Sequence, residues 1–268
     1  MIGVDSGADG LWNRGLVDTD FLVAPLMHVW QDLKHTMKLS LRTSLLIVSL
    51  WTKWMVCAAE SAGGERWVSL LKGGSLDGWV QKGGKARYRV EGDQIVGTPV
   101  PGTGNSFLCT VGIYTNFVLE LEFKTDPGLN SGVQVRSHAF EGPTEFEDTA
   151  RGKTVKISAG RVHGYQVEID PSPRAWSGGI YDEARRGWLH DLKENEAARK
   201  AYKTNDWNHF RIEASPGRLQ TTINGVPAAD LRDTVSPAGF IALQVHSVGT
   251  RTNAMEVRFR GLRILERP

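Results

Sequence analysis

Cysteine is nearly absent from this chain: 268 residues contain two, Cys57 and Cys109. Two thiols close at most one disulfide, so no cystine framework holds the fold. Seven histidines occur without a closely spaced His-x-x-x-His pair, which removes the usual sequence signal of a metal site, and no metal is assigned. Charge of one sign is lacking too. The 32 Lys and Arg are interspersed with 30 Asp and Glu, leaving a formal charge of +2 and no footprint for a nucleic-acid backbone. No Gly-rich nicotinamide or flavin fingerprint is present, so no cofactor is expected.

Long apolar runs are missing as well. The longest, SLLIVSLW at 44–51, is far shorter than the roughly 20 residues of a membrane-spanning helix. It follows the basic segment MKLSLR at 37–42 and precedes Cys57-Ala58-Ala59, a small-residue cleavage pattern. Residues 37–59 therefore read as a secretory signal peptide, and the mature protein is expected in the periplasm or outside the cell, without stable membrane insertion. Residues 1–36 read as an unstructured leader upstream of a start at Met37, the alternative being a long n-region. Loss of Cys57 with the signal leaves Cys109 alone, expected as a small core hydrophobe.

What is present is a 40% apolar fraction, 30 glycines and many short alternating segments. Strands are expected at 66–71, 86–91, 94–98, 117–125, 132–138, 163–170, 208–214, 218–223, 240–247 and 254–265, separated by turn signals such as Asn224-Gly225. About ten strands without a strict repeat predict an all-β single domain over 60–268, a two-sheet antiparallel jelly-roll sandwich. One helix is expected, from Asp191 to about Tyr202, inside an insertion at 176–205. A second, charged and Gly-rich insertion spans 139–160. Long excursions from a rigid sandwich are where binding and catalytic groups are usually presented.

Three of these strands have an unusual polar face. Side chains alternate with period two, so Gln134 and Arg136 share one face, Gln166, Glu168 and Asp170 another, and Gln244 and His246 a third. If the three strands lie in one sheet, its face displays amides, carboxylates, an Arg and a His, which are oriented partners for several hydroxyls. The bland reading is the wet side of an antiparallel sheet. Against it, the other polar faces of this chain, such as Glu120, Glu122 and Lys124, carry long mixed charges instead. Glu168 and Asp170 have Cα atoms about 6.5 to 7 Å apart, which permits an acid and a base flanking one bond. Trp176, Tyr181 and Trp188 in the insertion are candidates for stacking on a sugar ring, with core packing of the loop as the equal alternative.

The combination of LLKGGSLDGW (70–79), NSGVQVR (130–136), GYQVEID (164–170), GIYD (179–182), WNH (207–209), ING (223–225) and GFIALQVH (239–246) resembles the 3-keto-disaccharide hydrolase domain family. The resemblance implies a concanavalin-like, laminarinase-like jelly roll and the cleavage of glycosides already oxidised to a ketone at C3. It departs from the family in the order Gln166 then Glu168, and in Arg260-Gly261. The implied chemistry needs a base at C2, a donor at the developing O3 enolate and an acid at the leaving oxygen. Glu168 or His246 is expected as the base, with the other as the acid, and Arg136 as the oxyanion partner. Gln134, Gln166 and Gln244 are expected to orient hydroxyls, with Asn130, Asp170, Trp176, Tyr181 and Asp182 as further substrate-binding candidates. The expected partner is a small-molecule carbohydrate, supplied by a separate sugar oxidoreductase. Two alternatives stay open: a conventional two-carboxylate glycoside hydrolase, and a lectin-like module that binds without cleaving.

Overall fold

The computed structural model describes residues 66–268. The expected leader at 1–36 and signal peptide at 37–59, with Cys57, lie outside the described residues.

In chain order the strands are β1 (Val68–Ser69), β2 (Trp79–Gly83), β3 (Arg87–Glu91), β4 (Gln94–Thr98), β5 (Ser106–Thr110), β6 (Asn116–Thr125), β7 (Ser131–His138), β8 (Thr144–Asp148), β9 (Lys153–Ile157), β10 (His163–Ile169), β11 (Ile180–Glu183) and β12 (Gly187–His190). Helix α1 (Glu196–Ala201) follows, then β13 (Asn208–Ser215), β14 (Arg218–Ile223), β15 (Val226–Arg232), β16 (Phe240–Val245) and β17 (Val257–Arg267). One antiparallel sheet runs β15-β14-β13-β6-β17-β4-β3 with β1 added to β17; the other runs β12-β11-β10-β7-β16-β5-β2; β8 and β9 form a separate ribbon. The architecture is the expected two-sheet antiparallel jelly roll.

All ten expected strands are present, and seven more join them. β5 was hidden because all of its residues are buried, which erases the period of two. The 139–160 insertion contains the β8–β9 ribbon, and the 176–205 insertion contributes β11 and β12 to the second sheet, so neither is a simple excursion. The helix is shorter than expected: it starts at Glu196, where Asn195 Oδ1 caps the Ala198 amide at 3.1 Å.

The core lies between the sheets. Phe117, Leu119, Leu121 and Phe123 of β6 face inward beside Phe210 and Ile212, while Glu120 and Glu122 between them turn outward to Arg211, Arg263 and Arg260. The second sheet adds Val133, Val135, Tyr165, Val167, Leu243 and Val245 to the same core. Its opposite face is therefore free to carry the amides and carboxylates.

Candidate functional site

Register brings the expected polar residues together. One row across the second sheet reads Tyr181, Gln166, Gln134, Ala242 and Cys109, and the next reads Glu168, Gly132, Gln244 and Phe107. Beside these rows lies a cavity of about 390 Å³ lined by Gln166, Glu168, Gln244, His246, Asn130 and Tyr181 among the expected residues. Asn105, Arg161, Arg174, Glu183 and Trp188 complete the wall.

Glu168 is the centre of the polar network. Asn130 Nδ2 donates to its Oε1 at 2.6 Å and Gln166 Nε2 to its Oε2 at 2.8 Å. Gln166 Oε1 in turn accepts from Gln134 Nε2 at 2.7 Å and Gln244 Nε2 at 2.8 Å, and Ser137 Oγ donates to Gln134 Oε1. Burial pushes the Glu168 carboxyl up to about 7, against the Asn130 and Gln166 hydrogen bonds; the Asp170 charge adds to the rise and Arg174 opposes it. Gly132 makes the network possible, because a Cβ there would stand 2.5 Å from Gln166 Cδ.

His246 follows β16 and lines the cavity from the neighbouring strand end. Its Nδ1 lies 2.8 Å from the Ser247 carbonyl, so in the neutral ring the hydrogen sits on Nδ1 and Nε2 keeps its lone pair. Glu183, which sequence reasoning passed over, shares the face of Tyr181 and Gln166 and pairs with Arg161 at 2.5 Å. Burial raises its carboxyl, opposed by the Arg161 and His246 charges. The alternation Tyr181-Asp182-Glu183 was the available signal, once 180–183 is recognised as a strand.

Arg136 is corrected. Between Val135 and His138, β7 carries one residue more than β10, and between Gln134 and Ser137 one more than β16; Arg136, at φ 48°, belongs to both excesses. This bulge breaks the alternation that paired Arg136 with Gln134. The guanidinium, buried and with its pKa lowered by that burial, donates to the carbonyls of Thr115 at 2.7 Å and Ser215 at 3.0 Å, and to Asn116 Oδ1 at 3.2 Å. It links β7 to the first sheet and does not line the cavity. Gly239 packs on the bulge so closely that a Cβ would fall 2.3 Å from the Arg136 carbonyl carbon.

Four further expectations are corrected. Asp170 shapes the following loop, accepting from Ser172 N, Arg174 Nε and Trp176 N, and these bonds hold its carboxyl low although burial acts to raise it. Asp182 pairs in register with inward-facing Tyr165, and its fully buried carboxylate meets Arg185 and Arg186. Trp176 stands behind the cavity wall, edge-on to Trp188 with centroids 4.9 Å apart, and Arg174 covers both rings. Gln134 is wholly buried beneath the wall as a partner of Gln166. Among the described residues, no three His, Cys, Asp or Glu side chains gather as metal ligands.

The family of 3-keto-alpha-glucoside-1,2-lyase-like domains matches residues 66–265. The chain belongs to that family. No curated protein matches it. Among solved structures, a protein of unknown function with a galectin-like fold from Bacillus subtilis is 10% identical, with 75% of this chain and 94% of that one covered at a TM-score of 0.51. A candidate glycosyl hydrolase from Parabacteroides distasonis is 16% identical over 75% and 94% of the two chains at 0.48, and a β-glucanase from Bacillus licheniformis is 10% identical over 77% and 100% at 0.46. The galectin-like structure supports the jelly roll and, at this identity, nothing about chemistry. The family match makes this lyase-like domain carbohydrate-related.

Proposed function

We propose that the cavity cleaves 3-keto-glycosides by base-assisted elimination. The observation that carries this reading is Glu168, a carboxyl raised by burial to about 7 in the wall of a polar cavity. About half ionised near neutral pH, it combines a usable base population with the strength to take a C–H hydrogen already acidified by a neighbouring ketone. An unoxidised sugar has no such acidic hydrogen, so the ketone is what gives this base work.

In the proposed step Glu168 removes the hydrogen at C2, and the electron pair delocalises onto O3 as an enolate. Collapse of the enolate restores the C3 carbonyl, forms a C1–C2 double bond and breaks the C1–O bond, and the departing oxygen takes a proton from protonated His246. Water then returns hydrogen to C2 and hydroxyl to C1. Arg174, whose charge is felt at Glu168, replaces Arg136 as the cation serving the enolate. Asp170 does not line the cavity, which weakens the two-carboxylate alternative that relied on it. The ketone would come from a separate sugar oxidoreductase.

The test mixes the protein with a chromogenic 3-keto-glucoside and with its unoxidised parent, following aglycone release and deuterium exchange at C2. Release from the keto sugar alone, with exchange, supports elimination. Release from the parent points to ordinary glycosidase chemistry, and binding without release from either points to a lectin-like module.

A further inference from the structure

Three glutamines stand on the polar face, and their hydrogen bonds give them different capacities. In its ionised form, the one that acts as base, Glu168 only accepts, so Gln166 then presents its NH2 to Glu168 Oε2. That choice turns Gln166 Oε1 toward β7 and β16, and both Gln134 and Gln244 must then present NH2 to it. The Gln134 carbonyl is satisfied by Ser137 Oγ at 2.7 Å. The Gln244 carbonyl is not: Oε1 is buried, and no donor of the described residues reaches it. Gln244 belongs to the cavity lining although it is 0% exposed, so this acceptor is an unpartnered polar group just under the surface of the wall beside the base, and a hydroxyl reaches it once the amide shifts slightly outward.

A buried amide oxygen without a donor costs free energy, and a ligand that supplies the hydrogen recovers it. The orientation is directional, because reversing the Gln244 amide would set two carbonyl oxygens against each other at Gln166. The acceptor therefore calls for a hydroxyl and cannot bind a ketone oxygen, which has no hydrogen to give.

Resting on the elimination reading above, we infer that Gln244 Oε1 receives the hydroxyl hydrogen from a carbon flanking the substrate ketone, C2 or C4, so that the cavity selects 3-keto-glycosides whose hydroxyl there is free. Glu168 and Gln244 both oppose Gly132 in register, two strand spacings apart or about 10 Å between Cα atoms, with their side chains on one face. A pyranose ring resting over the Gln166 amide that bridges them can present C2 to the carboxylate and a neighbouring hydroxyl to the Gln244 amide. Gln166 and Gln134 then serve as positioning residues that hold the polarity of Gln244, and neither is a hydroxyl acceptor.

The experiment compares a chromogenic 3-keto-glucoside with its 2-deoxy and 4-deoxy analogues on the wild-type protein and on Gln244→Met. In the wild type, removing the recognised hydroxyl should lower kcat/KM about 10- to 100-fold. In Gln244→Met, the hydroxylated and deoxy substrates should fall to within about threefold of one another, the expected signature of a lost acceptor. Calorimetric binding of the corresponding non-cleavable C-glycosides to the wild-type protein gives the same comparison without turnover and without any variant. Cleavage of the keto-glucoside with no penalty for either deoxy analogue, or discrimination retained in full by Gln244→Met, overturns the role of Gln244 while leaving the elimination reading standing. Failure to bind or cleave the keto-glucoside at all overturns both.

Discussion

Gln166 lies across Gly132: a Cβ on Gly132 would sit 2.5 Å from Gln166 Cδ and 2.6 Å from its Cγ. The close approach lets one amide reach Glu168 on its own strand and Gln244 two strands away. Gly132→Ala should force Gln166 out of this position. The expected result is a loss of activity of at least about 100-fold in soluble, folded protein, read from kcat/KM beside a near-ultraviolet circular dichroism spectrum. Activity within a few-fold of wild type would mean that the amide network is not needed for turnover.

Glu168→Gln removes the proposed base and should lower kcat by about 10³-fold on a 3-keto-glucoside. In the wild type, the proton-abstraction step, read as deuterium exchange at C2, should quicken as pH rises through about 7, following ionisation of Glu168. A variant that keeps wild-type turnover would take Glu168 out of the chemistry.

The same carboxyl sets a dependence of stability on pH. Its folded pKa of about 7 lies above the ordinary value of 4.5, so between these limits the native state holds the proton more tightly than the unfolded chain. Its contribution is fully favourable below about 4.5 and declines as the pH rises to about 7, by roughly 3 kcal/mol at most. Glu168→Gln should therefore be more stable than wild type at pH 8, with the advantage fading at pH 4.5. Urea unfolding at the two pH values measures this, and an unchanged difference would contradict the raised pKa.

Arg136→Met should weaken the fold and spare the chemistry. It leaves the carbonyls of Thr115 and Ser215 without their buried donor, at a cost of about 2–4 kcal/mol in chemical denaturation. kcat/KM of the folded fraction should stay within a few-fold of wild type. A selective collapse of kcat would return Arg136 to the site.

Asp170→Asn separates two mechanisms. Weakening the Asp170–Arg174 ion pair, at 2.8 Å, should loosen the cation that serves the enolate and lower kcat several-fold with less effect on KM. A two-carboxylate glycosidase that used Asp170 would instead lose kcat by orders of magnitude, a difference visible in steady-state kinetics.

The residues most legible beforehand were those whose placement depends only on period-two alternation. Gln166 and Glu168 share the cavity wall, and Gln244 joins them from another strand, as their spacing required. Arg136 defeated the same rule because a bulge is a relation between neighbouring strands, visible only once β10 and β16 are laid beside β7. Asp182 was misplaced because 180–183 was read as loop; as strand β11 it pairs with Tyr165 and must face inward. Arg161, Arg174 and Glu183 escaped attention because they are ordinary charged residues in sequence and acquire a role only from the cavity they border.

By itself, then, the sequence determined the all-β sandwich and the amide and carboxylate character of one sheet face, since turn chemistry and alternation are local properties of the chain. The tertiary structure decided which charges enter the cavity, which are turned away, and that Glu168 is raised to about 7 while Asp170 is held low. Those outcomes follow from register, a one-residue bulge and desolvation, all of which depend on contacts between residues distant in the chain.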